Sequence, residues 1–404
     1  MATVAQPVYS RPLSGIERYS LMFHAVCRYH VDAILQGQGD LSAAELRMAV
    51  ATAAEANPGV RVRLRGILGW ARWVDSGIAP VVHVVESSNW TGSSGEGADF
   101  LSTALDAIRG GPVADLFLVR CADQQLRIVF RSVHAAIDGR GIMHWIQDIF
   151  RVLRGDPPIG SHSTLTDGDV QARYRDRLQH SGFTPLPPAD TIPVISAGTA
   201  TGPLDYIWRR VVLPKSPSGL LARSAVFLAQ WARQSGPGEV RFTIPVDYRG
   251  LRTDEMGVGN LTGFLKLCVE PTDTHRSLTL RLSQLVKAYA DCYQSREIPV
   301  IRWLPLRFLV SKLRERLNTL LFKLNHDMPS GGIVSMGSPD MARYSCAGFR
   351  AEYLYGIPGF VGKLNVVFLS YADFAVVTFA APAAYNDQKQ FDALIHAYEA
   401  HFSS

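Results

Sequence analysis

The chain has 404 residues, 47% hydrophobic and 19% charged, which excludes intrinsic disorder and leaves room for two or three cores at roughly 150 residues each. Its net charge of +5 is uneven: residues 1–200 hold 18 arginines, no lysine and 19 acids, while residues 201–404 hold 23 basic and 17 acidic residues. Residues 301–324 alone carry six basic side chains against Glu315, matching the net charge of the whole chain. Five cysteines (Cys27, Cys121, Cys268, Cys292, Cys346) form no CxxC pair and leave an odd thiol in any disulfide scheme. Residues 1–23 carry no secretory pattern, and no run approaches the ~18 apolar residues of a membrane span. The expectation is a soluble, cytoplasmic monomer.

In chain order, apolar spacing predicts a helix over 42–57, with Leu41, Leu46 and Val50 on one side and Asn57-Pro58-Gly59 as a stop. Short strands follow at 60–65 and 71–74, then a helix over 99–109 ended by Gly110-Gly111-Pro112. Strands at 114–120 and 125–134 come next, the second alternating Leu126, Ile128, Phe130, Ser132 and His134 on one face. A helix to Leu153 buries Ile142, Trp145, Ile146 and Ile149. Residues 155–202 are interrupted by Asp156-Pro157-Pro158, Pro185-Leu186-Pro187-Pro188 and Ser196-Ala197-Gly198-Thr199, and the domain boundary is placed there. The first half then spans 1–180, a linker 181–203 and the second half 204–404. That second half reads as a helix (218–235), two strands (239–245, 260–270), helices over 274–293 and 305–324, a hairpin (364–370 and 374–380) and a closing helix over 387–402. Both halves mix sheet and helix, an α/β (mixed α+β) class.

The most informative string is Ser132-Val133-His134-Ala135-Ala136-Ile137-Asp138-Gly139-Arg140-Gly141. A strand ends in a histidine, a turn brings back an aspartate, and a glycine opens a helix. Such a histidine is a candidate proton acceptor near neutral pH. A backbone N–H at Gly139, unshielded by a side chain, can approach an oxyanion at a helix start. By itself the string also fits a packed histidine followed by an N-cap aspartate. His144 and Asp148 share a helix face and read as packed or solvated. HxxxH, HExxH, GxSxG, GxGxxG and P-loop patterns are missing from the sequence, which argues against a metal site, a serine hydrolase and a nucleotide fold.

This string resembles the HHxxxDG signature of the condensation-domain and CoA-dependent acyltransferase superfamily: His134, Asp138 and Gly139 match, and Val133 replaces the first histidine. The likeness extends to Pro245-Val246-Asp247-Tyr248-Arg249 with Gly259-Asn260-Leu261-Thr262-Gly263, to Ile333-Val334-Ser335-Met336-Gly337, similar to the segment that crosses between the halves, and to the hairpin at 364–380. It covers about residues 12–400. The resemblance implies two chloramphenicol-acetyltransferase-like halves in a V-shaped pseudo-dimer, with His134 mid-channel as the catalytic base and Gly139 supporting the oxyanion. Asp138 and Arg249 would pair as structural residues at the site, and Asn260 and Ser335 would line the channel. No bound cofactor is implied. A CoA or phosphopantetheine thioester would be the acyl donor and a small molecule with a hydroxyl or amine the acceptor. The DFGWG segment of the plant branch is missing.

Leucines at helical spacing from Leu306 leave Arg307, Lys312, Arg314 and Arg316 mostly off the apolar stripe. A solvated basic face is the plain reading. Arg307, Arg314 and Arg316 are otherwise candidates for docking a donor or an acyl carrier protein, and contact with an anionic membrane surface is a further candidate. Nucleic acid is not an expected partner, because stacking aromatics do not interleave the charges. The expected activity is an acyltransferase acting by direct transfer. Rivals are an amide-forming condensation enzyme with carrier-bound substrates and a noncatalytic binding protein of the same fold.

Overall fold

A computed structural model describes residues 8–195, 206–294, 300–322, 328–359, 363–383 and 388–403, with the backbone alone at 316–322. The first half contributes β1 (Ser10–Pro12), α1 (Gly15–His24), β2 (His30–Gly39), α2 (Ala43–Ala56), β3 (Val62–Arg65), β4 (Arg72–Asp75), β5 (Val81–Ser88), β6 (Ala114–Cys121), β7 (Gln125–Val133), α3 (Gly139–Leu153) and α4 (Asp167–His180). The second contributes β8 (Tyr206–Leu213), α5 (Leu220–Arg233), β9 (Val240–Asp247), β10 (Thr262–Val269), α6 (His275–Lys287), α7 (Leu306–Phe322), β11 (Gly331–Ser335), β12 (Phe349–Ile357), β13 (Asn365–Ser370), β14 (Ala375–Pro382) and α8 (Gln388–Ser403).

The strands form a five-stranded sheet in the order β12-β2-β7-β6-β5, a six-stranded sheet in the order β10-β9-β11-β13-β14-β8, and a small sheet β1-β4-β3. Apolar faces explain the layers. Ile128 and Phe130 of β7 pack beneath Leu46 and Val50 of α2 and Trp145, Ile146 and Ile149 of α3. Phe242 and Phe379 of the larger sheet are covered by Leu228 of α5 and by Leu394 and Tyr398 of α8. A third cluster joins the two large sheets through Ile34, Val129, Tyr355, Trp208 and Val376. The molecule is a two-lobed α/β pseudo-dimer.

Four expectations are corrected. Residues 99–109 do not form one helix but two 3-10 turns, Asp99–Ser102 and Ala107–Arg109. The carbonyls of Leu101 and Thr103, which a continuous helix would use internally, instead accept from the Arg131 guanidinium at 2.9 and 2.7 Å. The interrupted stretch 155–202 contains a full helix, α4, started by a capping box in which Thr166 and Asp169 satisfy each other's backbone N–H. The helix expected over 274–293 stops at Lys287, because Tyr289 turns the chain at φ 58°. The segment at 333–337 does not cross between the lobes: β11 lies inside the six-stranded sheet, parallel to β9 and β13. The crossing strand is β12, which pairs antiparallel with β2 from Phe349 opposite Gly39 to Ile357 opposite Asp32. Burial of Phe349, Ala351 and Leu354 in the first-half core holds it there. The expected end of the helix at Leu324 lies outside the described residues.

Candidate active site

β7 runs out at Val133, and the next residues fold into a turn in which Ala136 and Ile137 donate to the Val133 carbonyl. The turn leaves His134 half-buried at the wall of a cavity of about 1200 Å³ between the lobes. Tyr29, which leads into β2, lies flat against the imidazole with ring centroids 4.8 Å apart and planes within 9°. Burial, the dominant influence, lowers the His134 pKa below the ordinary histidine value, against the pull of the nearby Asp138 carboxylate. Burial therefore favours the unprotonated ring, the form able to accept a proton.

Asp138 is the N-cap of α3, and its Oδ1 accepts from the Gly141 N–H at 2.7 Å. Its Oδ2 accepts from the Leu261 N–H at 2.8 Å and the Thr262 hydroxyl at 3.0 Å. The Arg249 guanidinium completes the shell, with Nη1 3.1 Å from Oδ2 and Nη2 3.1 Å from Oδ1. Burial pushes the Asp138 carboxyl up, but Arg249 and the two N–H donors outweigh it and hold the group below the usual carboxylate range. Arg249 also reaches the Gly257 carbonyl at 2.9 Å, the Gly259 carbonyl at 2.6 Å and Asp247 at 2.7 Å. The planar fork locks the first-half turn to the loop before β10.

Gly139 and Ser335 line the cavity. Gly139 is the first residue of α3, where backbone N–H groups have no intrahelical acceptor. A Cβ there would come within 2.9 Å of Met336 Cε. Asn260 departs from the expected channel wall: it is buried, and its amide donates to the carbonyls of His134 at 2.7 Å and Ala135 at 2.9 Å, holding the turn from behind. His144 and Asp148 are buried as well. Asp148 is engaged by Asn57 at 2.7 Å and by the N–H groups of Ile159 and Gly160, so the pair ties α2, α3 and the following loop together.

Sequence reasoning missed Tyr29, Asp247 and Thr262. The last two sit inside strings already singled out. Tyr29 lies 105 positions before His134 and carries no local signal. Sequence reasoning also missed the arm of the cavity along β10, an edge strand presenting Thr262, Phe264, Lys266 and Cys268, with Glu270 just past its end. Among the docking candidates, Arg307 is exposed, Arg314 donates to the Ala25 carbonyl at 3.2 Å, and the Arg316 side chain lies outside the described residues. Among the described residues, no cluster of three histidine, cysteine, aspartate or glutamate side chains is placed to hold a metal, and no helix is long and apolar enough to cross a membrane.

No protein-family model matches the sequence, and no curated protein matches it. Solved structures do. The first condensation domain of the calcium-dependent antibiotic synthetase, in complex with a substrate analogue, superposes with a TM-score of 0.68 at 15% identity, covering 98% of this chain and 95% of that one. A double-mutant starter condensation domain of rhizomide synthetase RzmA in complex with C8-CoA gives 0.67 at 15% identity, covering 98% and 94%. The condensation domain of the monacolin K polyketide synthase MokA gives 0.61 at 12% identity, covering 98% of each chain. At such identities the likeness defines the fold, and this chain has the condensation-domain fold over 98% of its length.

Proposed function

We propose that the protein is an acyltransferase that moves an acyl group from a thioester, on CoA or a carrier protein, to a hydroxyl or amine acceptor. One juxtaposition carries this reading: His134 and the N-terminal end of α3 at Gly139 line one cavity, on a turn clamped by Asp138 and Arg249. His134 takes the proton of the acceptor as its oxygen or nitrogen attacks the thioester carbonyl. The Gly139 N–H, at the positive end of the α3 dipole, supports the oxyanion. Collapse breaks the C–S bond, and the proton leaves His134 to the departing thiolate.

Direct transfer is favoured over an acyl-enzyme. Cys268 is the thiol on the cavity wall, and burial together with Glu270 pushes it up to about 11, leaving little thiolate at neutral pH. The RzmA domain seen with C8-CoA supports a thioester donor. Asp138 and Arg249 act as positioning residues, Asn260 steadies the histidine turn, and Ser335 lies on the substrate path. The two-lobe division near residues 181–203 and a cytoplasmic, monomeric state belong to the same proposal.

The test is His134→Ala assayed with acyl-CoA and carrier-bound donors against alcohol and amine acceptors. Loss of the base is expected to lower turnover ~10²–10⁴-fold with the fold intact by circular dichroism. Full turnover in the folded variant would refute the mechanism, and the preferred donor and acceptor separate ester formation from amide formation.

A further inference from the structure

Five large apolar side chains stand in solvent on two segments that meet at Trp70 and Trp303: Ile67 (72% exposed), Trp70 (67%), Val300 (59%), Trp303 (54%) and Phe308 (49%). The segments, far apart in sequence, are the β3–β4 turn and the stretch entering α7. We propose that together they dock on the surface of an anionic lipid bilayer.

The two segments are built into one rigid platform. The Trp70 and Trp303 rings meet edge to face with centroids 5.5 Å apart. The Trp303 ring covers Gly69, where any Cβ would overlap it, and Arg302 Nη2 donates to the Gly69 carbonyl at 3.2 Å. Beneath them the buried Arg18 of α1 donates to the Leu68 carbonyl at 3.1 Å and to the Leu304 carbonyl. Leu68 itself is held at φ 51°, a left-handed conformation that a leucine adopts only when its surroundings impose it. A fold that merely tolerated exposed apolar residues would scatter them singly.

Charge selects the partner. Residues 61–72 contain four arginines and no acid, and residues 300–314 contain three arginines and a lysine and no acid. Arg65, Arg72, Arg302 and Arg307 are exposed on these two segments. An acidic protein would satisfy the guanidinium groups yet leave five protruding apolar side chains against a charged surface. A bilayer accepts both at once, with indole and aliphatic groups at headgroup depth and guanidinium groups on lipid phosphates. The platform sits one helix from the cavity, because Ile16 and Tyr19 of α1 line it while Arg18 holds the platform. The inference does not depend on the acyl-transfer reading.

The experiment is co-sedimentation of the full chain with sucrose-loaded vesicles of phosphatidylcholine alone and of phosphatidylcholine with about 30 mol% phosphatidylglycerol. Partitioning into the anionic vesicles is expected to exceed that into neutral ones by about tenfold and to fall at ~0.5 M salt. Trp70→Ser with Trp303→Ser, and separately Arg302→Glu with Arg307→Glu, should each reduce it about tenfold or more. Lys215→Glu with Arg276→Glu, outside these two segments, should leave it unchanged, with melting temperature confirming the fold of each variant. Equal weak partitioning into both vesicles, or full binding by the folded platform variants, would overturn the proposal. Binding to an acidic acyl carrier protein without vesicle binding would overturn it equally.

Discussion

In the proposed mechanism His134 works only while it is unprotonated, so the burial that lowers its pKa is expected to set the acid limb of the activity profile. As pH falls through the folded pKa the imidazole gains a proton and activity is lost, so kcat/KM should hold to a pH below the ordinary histidine value of about 6.5 before falling. An acid limb centred above 6.5 would count against His134 as the base. Asp138 has the opposite relation to stability. Its carboxyl is depressed in the folded state, so the stability it contributes is present above its unfolded value and is lost as pH falls through the folded one. Arg249→Ala strips the fork from that buried carboxylate and is expected to cost roughly 3–5 kcal/mol in urea denaturation, whereas Arg249→Lys keeps the charge and loses the bidentate geometry. An unchanged midpoint in Arg249→Ala would remove the clamp from the account. His134, Asp138 and Gly139 were legible because they lie in one short string with its own local chemistry, whereas Arg249 was picked out by family resemblance, its partner lying 111 positions away. Asn260 was read as a residue of the channel wall, not as the support of the histidine turn. Its bond to the His134 carbonyl spans 126 positions, and no window of sequence contains both ends.

At the level of elements, the start of α3 shows how tightly the turn is built. A Cβ at Gly141 would overlap the carbonyl oxygen of Val258, so Gly141→Ala must push the helix away from the loop that carries Gly259 and Asn260. The expected loss is roughly 1–3 kcal/mol, read as a lowered melting temperature together with reduced turnover. If stability were unchanged, that helix and loop would not be packed as closely as this. α3 itself was readable from its apolar stripe and its N-cap aspartate, and α4 carried a Thr-x-x-Asp capping box among prolines. The failure at 99–109 has a different origin. Its apolar spacing suits a helix, but the buried Arg131, anchored on Asp115 at 2.6 Å, draws two of its carbonyls away. A tertiary hydrogen bond outweighed local propensity.

Across the whole molecule, the lobes are joined by a strand exchange and an apolar seam. Trp208 of the second half is 4% exposed and packs with Trp90, Tyr355 and Val376. Trp208→Ala is expected to cost roughly 3–5 kcal/mol, and differential scanning calorimetry should show the lobes destabilised together. A shift confined to one of two separate transitions would mean that the seam does not couple them. Much of this protein is written locally in its chain. Helices and strands follow from apolar period and capping residues, the histidine turn from one decapeptide, and the concentration of positive charge from one segment. Those features are legible because the residues responsible lie within a turn or two of each other. The cavity, the Arg249 clamp across 111 positions, the crossing of β12 rather than β11, and the meeting of Trp70 with Trp303 arise only on packing. They depend on which sheet faces bury each other and which distant donor reaches a carbonyl first, and that free energy is shared over the closed molecule rather than carried by any stretch of it.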